Sequence, residues 1–204
     1  MSTSWTDLPL FPLQTVLFPD GLLQLKVFEA RYLDLMSRCL RNQSPFGVVC
    51  IQQGSEVRSD ADASASFESI GVLAQVLDVD AEGPGILKVR CQGGQRIQVG
   101  QPRQLADGLW VAPADLLDAD DVTAVPTELS PCAQALGHAI ESLAEQDQHP
   151  FIQPHRLHDA GWVANRWCEI LPISLAAKQK LMALDAPAIR LKLVDDYLRG
   201  KGVL

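Results

Sequence analysis

The sequence lacks most of what would mark a membrane protein, a secreted protein or a familiar catalyst. No apolar run approaches the ~18–20 residues that a membrane helix needs. The N-terminus MSTSWTDLPL has no basic segment ahead of an apolar core, so no secretory leader and a cytoplasmic location are expected. The five cysteines, Cys39, Cys50, Cys91, Cys132 and Cys168, are odd in number and widely spaced, and no two form a Cys-x-x-Cys pair. They are expected to be reduced and buried, acting as small hydrophobes, with no zinc site built from them. There is no Gly-x-x-x-x-Gly-Lys-Ser/Thr loop for nucleotide phosphates and no Gly-x-Ser-x-Gly elbow for a nucleophile. The only Gly-Lys step is Gly200-Lys201. Positive charge is scarce: 17 Lys and Arg stand against 25 Asp and Glu, a net charge of −8. Nonspecific nucleic-acid binding, which requires phosphate neutralisation, is disfavoured.

Two clusters invite a metal and do not have its spacing. His155-x-x-His158-Asp159 is interrupted by Pro150 and Pro154 and has no Glu between the histidines. Asp115, Asp118, Asp120 and Asp121 lack the Gly and distal Glu of a calcium loop, and the segment reads as a polar linker. Cys50 sits in an apolar run without the cations that would lower its pKa. No metal, cofactor or catalytic residue is expected.

What is present is a chain of 204 residues, long enough for one large domain or two small ones. Its organising stretch is LPLFPLQTVLFPDGLLQLKVFEARYLDLMSRCLR, Leu8 to Arg41. Pro9, Pro12 and Pro19 push their neighbours toward extended geometry, so Leu8, Leu10, Phe11, Leu13, Val16, Leu17 and Phe18 must be buried without a helix. Pro19-Asp20-Gly21 predicts a turn in which Gly takes the positive φ. Leu23, Leu25 and Val27 alternate with Gln24 and Lys26 as in a strand. From Phe28 the period becomes helical: Phe28, Tyr32, Leu35, Met36, Cys39 and Leu40 form one stripe expected to pack on the strands.

Further strands are expected at 46–52, 70–79, 85–99 and 109–112. Gly93-Gly94 is expected to form a hairpin turn in the third of these. The cations of residues 83–106 are expected to give that hairpin a cationic face, balanced by the acidic segment that follows. Gly54 to Phe67 reads as a long surface loop. From Ser130 the helical period dominates. Ser130, Asp159, Ser174 and Asp185 are expected to cap four amphipathic helices that pack as a small bundle.

The opening block LPLFPLQTVLFPDGLLQLKVFEARY resembles the signature of the Lon N-terminal domain family, the substrate-recognition region of Lon proteases. The resemblance continues in Pro45-Phe46-Gly47-Val48-Val49, in Gly94-Gln95-Arg96-Ile97 and, more weakly, in LPISLAAKQKLMALDAPAIRLKLVDDYL. The chain departs from the signature by one inserted residue, in Phe18-Pro19-Asp20-Gly21.

The resemblance implies an α+β chain: a PUA-like pseudo-barrel with one helix over residues 1–122, then an α-helical bundle over 123–204. It implies an unfolded or extended polypeptide, or a specific protein, as partner, and no catalysis, since neither the ATPase nor the protease elements of the larger members are present. Phe28, Glu29, Arg31, Tyr32, Arg96 and Trp110 are the residues expected at the binding surface. The alternative is a small-molecule-binding protein or enzyme reusing the fold near Glu29, Arg31 and Arg96. RNA binding, suggested by the PUA-like analogy and the cationic hairpin, is opposed by the net charge. Neither composition nor resemblance sets an oligomeric state.

Overall fold

The computed structural model describes residues 3–53 and 66–204; most of the expected loop from Gly54 to Phe67 lies outside them. The chain divides into two compact units, Met1–Asp118 and Ala119–Leu204. The first holds strands β1 (Ser4–Leu13), β2 (Leu22–Val27), β3 (Phe46–Gln53), β4 (Ser66–Phe67), β5 (Ile70–Gly83), β6 (Ile86–Val99), β7 (Arg103–Gln104) and β8 (Trp110–Leu116), with helix α1 (Ala30–Asn42) between β2 and β3. The second holds helices α2 (Ser130–Ala144), α3 (Ala160–Ile170), α4 (Leu175–Ala183) and α5 (Pro187–Gly200). None of the described helices is long and apolar enough to cross a membrane.

In the first unit the strand pairings run β6–β5–β3–β1–β8 and return to β6, closing a ring of five strands. Two lengths of β6 serve different neighbours: residues 87–92 pair with β2 and residues 97–99 pair with β8. β2 is therefore an appendix to the ring, hydrogen-bonded along one edge. One core cluster combines Leu8, Leu10, Val49, Ile97, Val99, Ala112 and Ala114, with Trp5 and Trp110 packed against it.

β1 accommodates two prolines because each half of it has a partner on only one side. Its residues up to Leu10 pair with β8, while Leu10 to Leu13 pair with β3. A missing N–H is tolerated where no ladder needs it. The apolar residues that follow the strand, Val16, Leu17 and Phe18, are buried as expected. In the turn that comes next the positive φ belongs to Asp20 (φ 60°), not Gly21, and Gly21 N–H donates to the Phe18 carbonyl at 2.9 Å. Asp tolerates this left-handed region through its short polar side chain.

Three expectations are corrected here. Gly93-Gly94 makes no turn, since β6 runs through it and the hairpin lies between β5 and β6 around Gly85 (φ 73°). Gly93 instead lets the loop before β2 approach: Asp20 N–H donates to its carbonyl (2.9 Å) and its own N–H donates to the Gly21 carbonyl (2.8 Å). Lys88 and Arg90 of β6 are answered by the preceding strand, whereas Arg96 donates to the Asp118 carbonyl in the acidic segment that follows. Asp78 and Asp80 lie across from Arg90 and Lys88, and Glu82 bridges Lys88 (3.1 Å) and Lys26 (2.8 Å). Among the described residues the outward cations Lys88 and Arg90 of the hairpin therefore face carboxylates of β5.

The acidic segment, finally, is not a uniform linker. Asp115 is part of β8, and Asp120 is gripped by Arg190 of α5 within the second unit. The first compact unit ends at Asp118.

The second unit is built around α3, which contacts α2, α4 and α5 and in which every residue from Ala160 to Cys168 is buried. Asp159 caps it by accepting from Gly161 N–H (3.0 Å) and Trp162 N–H (3.5 Å). Ser174 caps α4 through Ala177 N–H. Neither Ser130 nor Asp185 acts as a cap: a single 3-10 turn, Thr127–Leu129, leads into α2, and Ala186 holds the cap position of α5. Pro at the start of both helices makes a side-chain acceptor less necessary, because it brings no N–H to satisfy.

Candidate functional site

A groove of about 340 Å³ runs along β2, in the first unit. Its walls are Phe11, Leu13 and Thr15 from the end of β1, Leu23 to Val27 along the strand, and Phe28, Glu29 and Tyr32 at the entrance to α1. The strand's period of two accounts for the lining. Leu23 and Val27 are buried, Leu25 is half-buried, and Gln24, Lys26 and Phe28 turn outward. Phe28 stays in phase with the strand because α1 begins only at Ala30, after an extended Glu29 (ψ 135°).

The expectation that Phe28 packs on the strands within the helical stripe is therefore corrected: it is 52% exposed at the rim. Tyr32 does lie on the stripe, buried and stacked on Phe11 with ring centroids 4.0 Å apart. A half-exposed Phe beside a stacked aromatic pair offers apolar area that no other described element covers.

Glu29 is held in place by Arg31, Nη2 to Oε2 at 3.0 Å. Arg31 is itself buried, not on the polar face of the helix. It donates from Nη1 to the Gly108 carbonyl (2.8 Å) and lies over the Tyr32 ring, 4.7 Å from its centroid. It ties the start of α1 to the turn before β8, and Gly108 (φ 84°) forms that turn. Arg31 thus positions the groove without lining it.

Arg96 is also buried, on β6, and donates from Nη2 to the Asp118 carbonyl. Trp110 lies in a separate cleft with Phe67, whose ring meets it edge-on at 5.1 Å, beside Glu68, Ser69, Gln101 and Pro102. The structure therefore brings Phe28, Glu29, Arg31 and Tyr32 together and places Arg96 and Trp110 outside the groove.

Phe11, Leu13, Thr15, Leu23 and Leu25 were not among the residues expected at a site. Their signal is weak in sequence, because an apolar wall and an apolar core share one composition. The one usable hint is the continuation of strand alternation from Leu23 through Phe28, which places an aromatic on the outward side.

Nothing among the described residues forms a cluster of three or more His, Cys, Asp or Glu able to hold a metal ion. Asp159, adjacent to His158, is engaged as a helix cap. The cysteines are free and buried. Burial pushes the thiols of Cys91, Cys132 and Cys168 up to about 12, and raises those of Cys39 and Cys50 from the ordinary value. At pH 8 a thiol titrating near 12 is thiolate in about one molecule in 10⁴, and the thiolate is the reactive form. Cys91, Cys132 and Cys168 in folded protein at pH 8 are expected to react with an aromatic disulfide reagent at least ~100-fold more slowly than in urea, where the thiols return toward their ordinary pKa near 8.5. Rapid modification of one of these three thiols in the folded state would contradict that.

Residues 7–200 match the ATP-dependent protease La (LON) substrate-binding domain family. The chain is 24% identical over 202 residues to a Lon protease of Xanthomonas oryzae pv. oryzae, covering 96% of this chain and 23% of that protein's length. Among solved structures it is similar to a Lon N-terminal domain protein from Xanthomonas campestris, with a TM-score of 0.75 at 30% identity over 95% of this chain and 99% of that one. It shares its fold with the N-terminal domain of Mycobacterium avium complex Lon protease, with a TM-score of 0.63 at 14% identity over 94% and 97% of the two chains.

Proposed function

The chain belongs to the ATP-dependent protease La (LON) substrate-binding domain family, and from that premise we propose that it binds unfolded or extended polypeptide through the groove along β2, without catalysing a reaction on it. The observation that carries this reading is the half-exposed Phe28 at the rim of a groove floored by Leu25 and the Phe11–Tyr32 stack. Unfolded chains present the apolar side chains that such a surface accepts, and folded chains do not. Phe28, Glu29 and Tyr32 are read as contact residues and Arg31 as the residue that positions them. Arg96 and Trp110 are assigned no contact.

The closed ring of five strands supports a PUA-like pseudo-barrel, and the three helices packed around α3 support an α-helical bundle. The proposal is for an adaptor-like module of the cytoplasm that presents clients to other proteins. The small-molecule alternative centred on Glu29, Arg31 and Arg96 has less support, because the two arginines are buried in structural hydrogen bonds.

The test is a titration of the chain into a labelled, permanently unfolded protein, with the folded form as control. Saturable binding of the unfolded form alone is expected. Phe28→Ala should weaken it about 10-fold or more, as loss of an aromatic anchor does. Stability should change by no more than ~0.5 kcal/mol, since the side chain is half in water. Equal binding by wild type and F28A would remove the groove from the proposal, and no binding up to high micromolar would remove the function.

A further inference from the structure

β2 stands at the end of the sheet order, paired on one side with β6. Among the described residues no strand is paired with its other edge, and that edge borders the groove. In an antiparallel ladder every second residue directs its N–H and C=O away from the partner, so a strand of six residues leaves roughly three outward-facing backbone pairs. Exposed edges of this kind are usually shielded by a covering loop, a proline, a bulge or charged side chains, of which β2 has only Lys26, engaged by Glu82. The β2–β6 register runs from Leu22 to Val27 without a bulge, and the strand contains no proline.

We propose that the client is bound by strand addition: an extended stretch of about six residues pairs its backbone with the free edge of β2. This rests on the polypeptide-binding reading above and names its mode and its substrate class. Backbone hydrogen bonds supply affinity that is independent of client sequence. Alternate client side chains then fall on the groove side, over Leu25, Phe11 and Tyr32 and beneath Phe28.

Charge selects among clients. The two charged side chains along the groove already have partners, Glu29 in Arg31 and Lys26 in Glu82, which it shares with Lys88. A charged client residue would lose hydration there without gaining a counter-charge, whereas an apolar one loses nothing. The surface around the groove belongs to a chain of net charge −8, which repels acidic segments further. The occupant is therefore an uncharged, β-prone, apolar stretch of another polypeptide. Such stretches lie in the core of a folded protein and are exposed only when it unfolds.

The probe is a fluorescent Val-Thr alternating peptide of about eight residues, together with two versions N-methylated at alternate positions, one in each register. N-methylation removes backbone donors and leaves the side chains unchanged. Full-length chain is titrated with each peptide, and amide exchange is followed at residues 22–27.

The parent peptide is expected to bind. One methylated register should bind at least 10-fold more weakly and the other nearly as well as the parent, because only one set of amides faces β2. The outward amides of β2 should exchange at least 10-fold more slowly in the complex. Equal binding by all three peptides, or unchanged exchange in β2, overturns strand addition. If a permanently unfolded protein binds while β2 exchange is unchanged, polypeptide binding stands and its mode is different. If neither peptide nor unfolded protein binds, both readings fall. If the free chain is a dimer by light scattering with β2 amides already protected, a second copy occupies the edge and the proposal is overturned.

Discussion

Replacing Arg190 by methionine is expected to destabilise the helical unit by about 3–5 kcal/mol, the range seen when one partner of a buried ion pair is removed. Arg190 is 1% exposed, deep in a unit of modest size. Its guanidinium donates from Nε to the Leu181 carbonyl (2.8 Å), from Nη1 to Asp120 Oδ2 (2.6 Å) and Asn165 Oδ1 (3.0 Å), and from Nη2 to Asp120 Oδ1 (3.3 Å) and the Leu184 carbonyl. Methionine fills much of the same volume and satisfies none of these acceptors. The loss is therefore electrostatic and hydrogen-bonding in origin, not a matter of packing. It would free the segment after Asp118, which Asp120 pins to α3 and α5, and also the α4–α5 connection at Leu184.

Urea denaturation followed through Trp162 and Trp167, both in this unit, measures the effect. Asp120→Asn keeps the shape and part of the hydrogen bonding, so a smaller loss of about 1–2 kcal/mol is expected. An R190M protein within ~1 kcal/mol of wild type would mean that the chelation of Asp120 contributes little. In that case the segment is held by its other contacts, among them Ala160 N–H donating to the Thr123 carbonyl (2.8 Å) and Val125 N–H donating to the His158 carbonyl (3.0 Å).

The second large effect is at Gly93. A Cβ built there would stand 2.2 Å from the Phe18 carbonyl oxygen, a backbone atom that cannot rotate away. The same glycine exchanges backbone hydrogen bonds with Asp20 and Gly21, so relief of the clash must break the docking of the turn that leads into β2. Gly93→Ala is expected to destabilise the first unit by about 3 kcal/mol, the upper part of the range for forced overpacking. Its neighbour Gly94 is the internal control, because a Cβ there meets nothing nearer than 3.5 Å. Thermal unfolding of the two alanine variants should separate them clearly. Because β2 forms one wall of the groove, G93A should also weaken client binding at temperatures where the protein remains folded. Similar melting temperatures for G93A and G94A would show that the strand can shift at no cost.

These two sites mark what could be read in the chain and what could not. The extended opening was legible because proline acts locally: Pro9 and Pro12 forbid a helix whatever surrounds them. The strand at Leu22–Val27 and the helix after it were legible from a period that changes from two to three or four. The caps at Asp159 and Ser174 were legible because capping is settled within a few residues of chain. The family resemblance was carried by blocks in fixed order, and residues 7–200 match that family.

What the sequence could not decide were pairings between distant segments. Gly93-Gly94 looks like a turn because the local rule asks only for conformational freedom. Its actual role, giving room to the Phe18 carbonyl, is set by a contact 75 residues away in sequence (93 − 18). Asp120 reads as linker until Arg190, 70 residues later, is seen to hold it. Arg31 looks like surface on a helical wheel, yet the Gly108 carbonyl gives it a buried partner from across the sheet.

Phe28 differs, since both periodicities allowed for it and only the start of α1 at Ala30 decided between them. Local geometry and composition were thus determined by the sequence itself, because steric and hydrogen-bonding limits act over a few residues. The edge of β2 that no described strand pairs, the partners of the buried charges and the exposure of Phe28 were decided by the tertiary structure. Each depends on which strand or helix arrives from far along the chain, and on which does not.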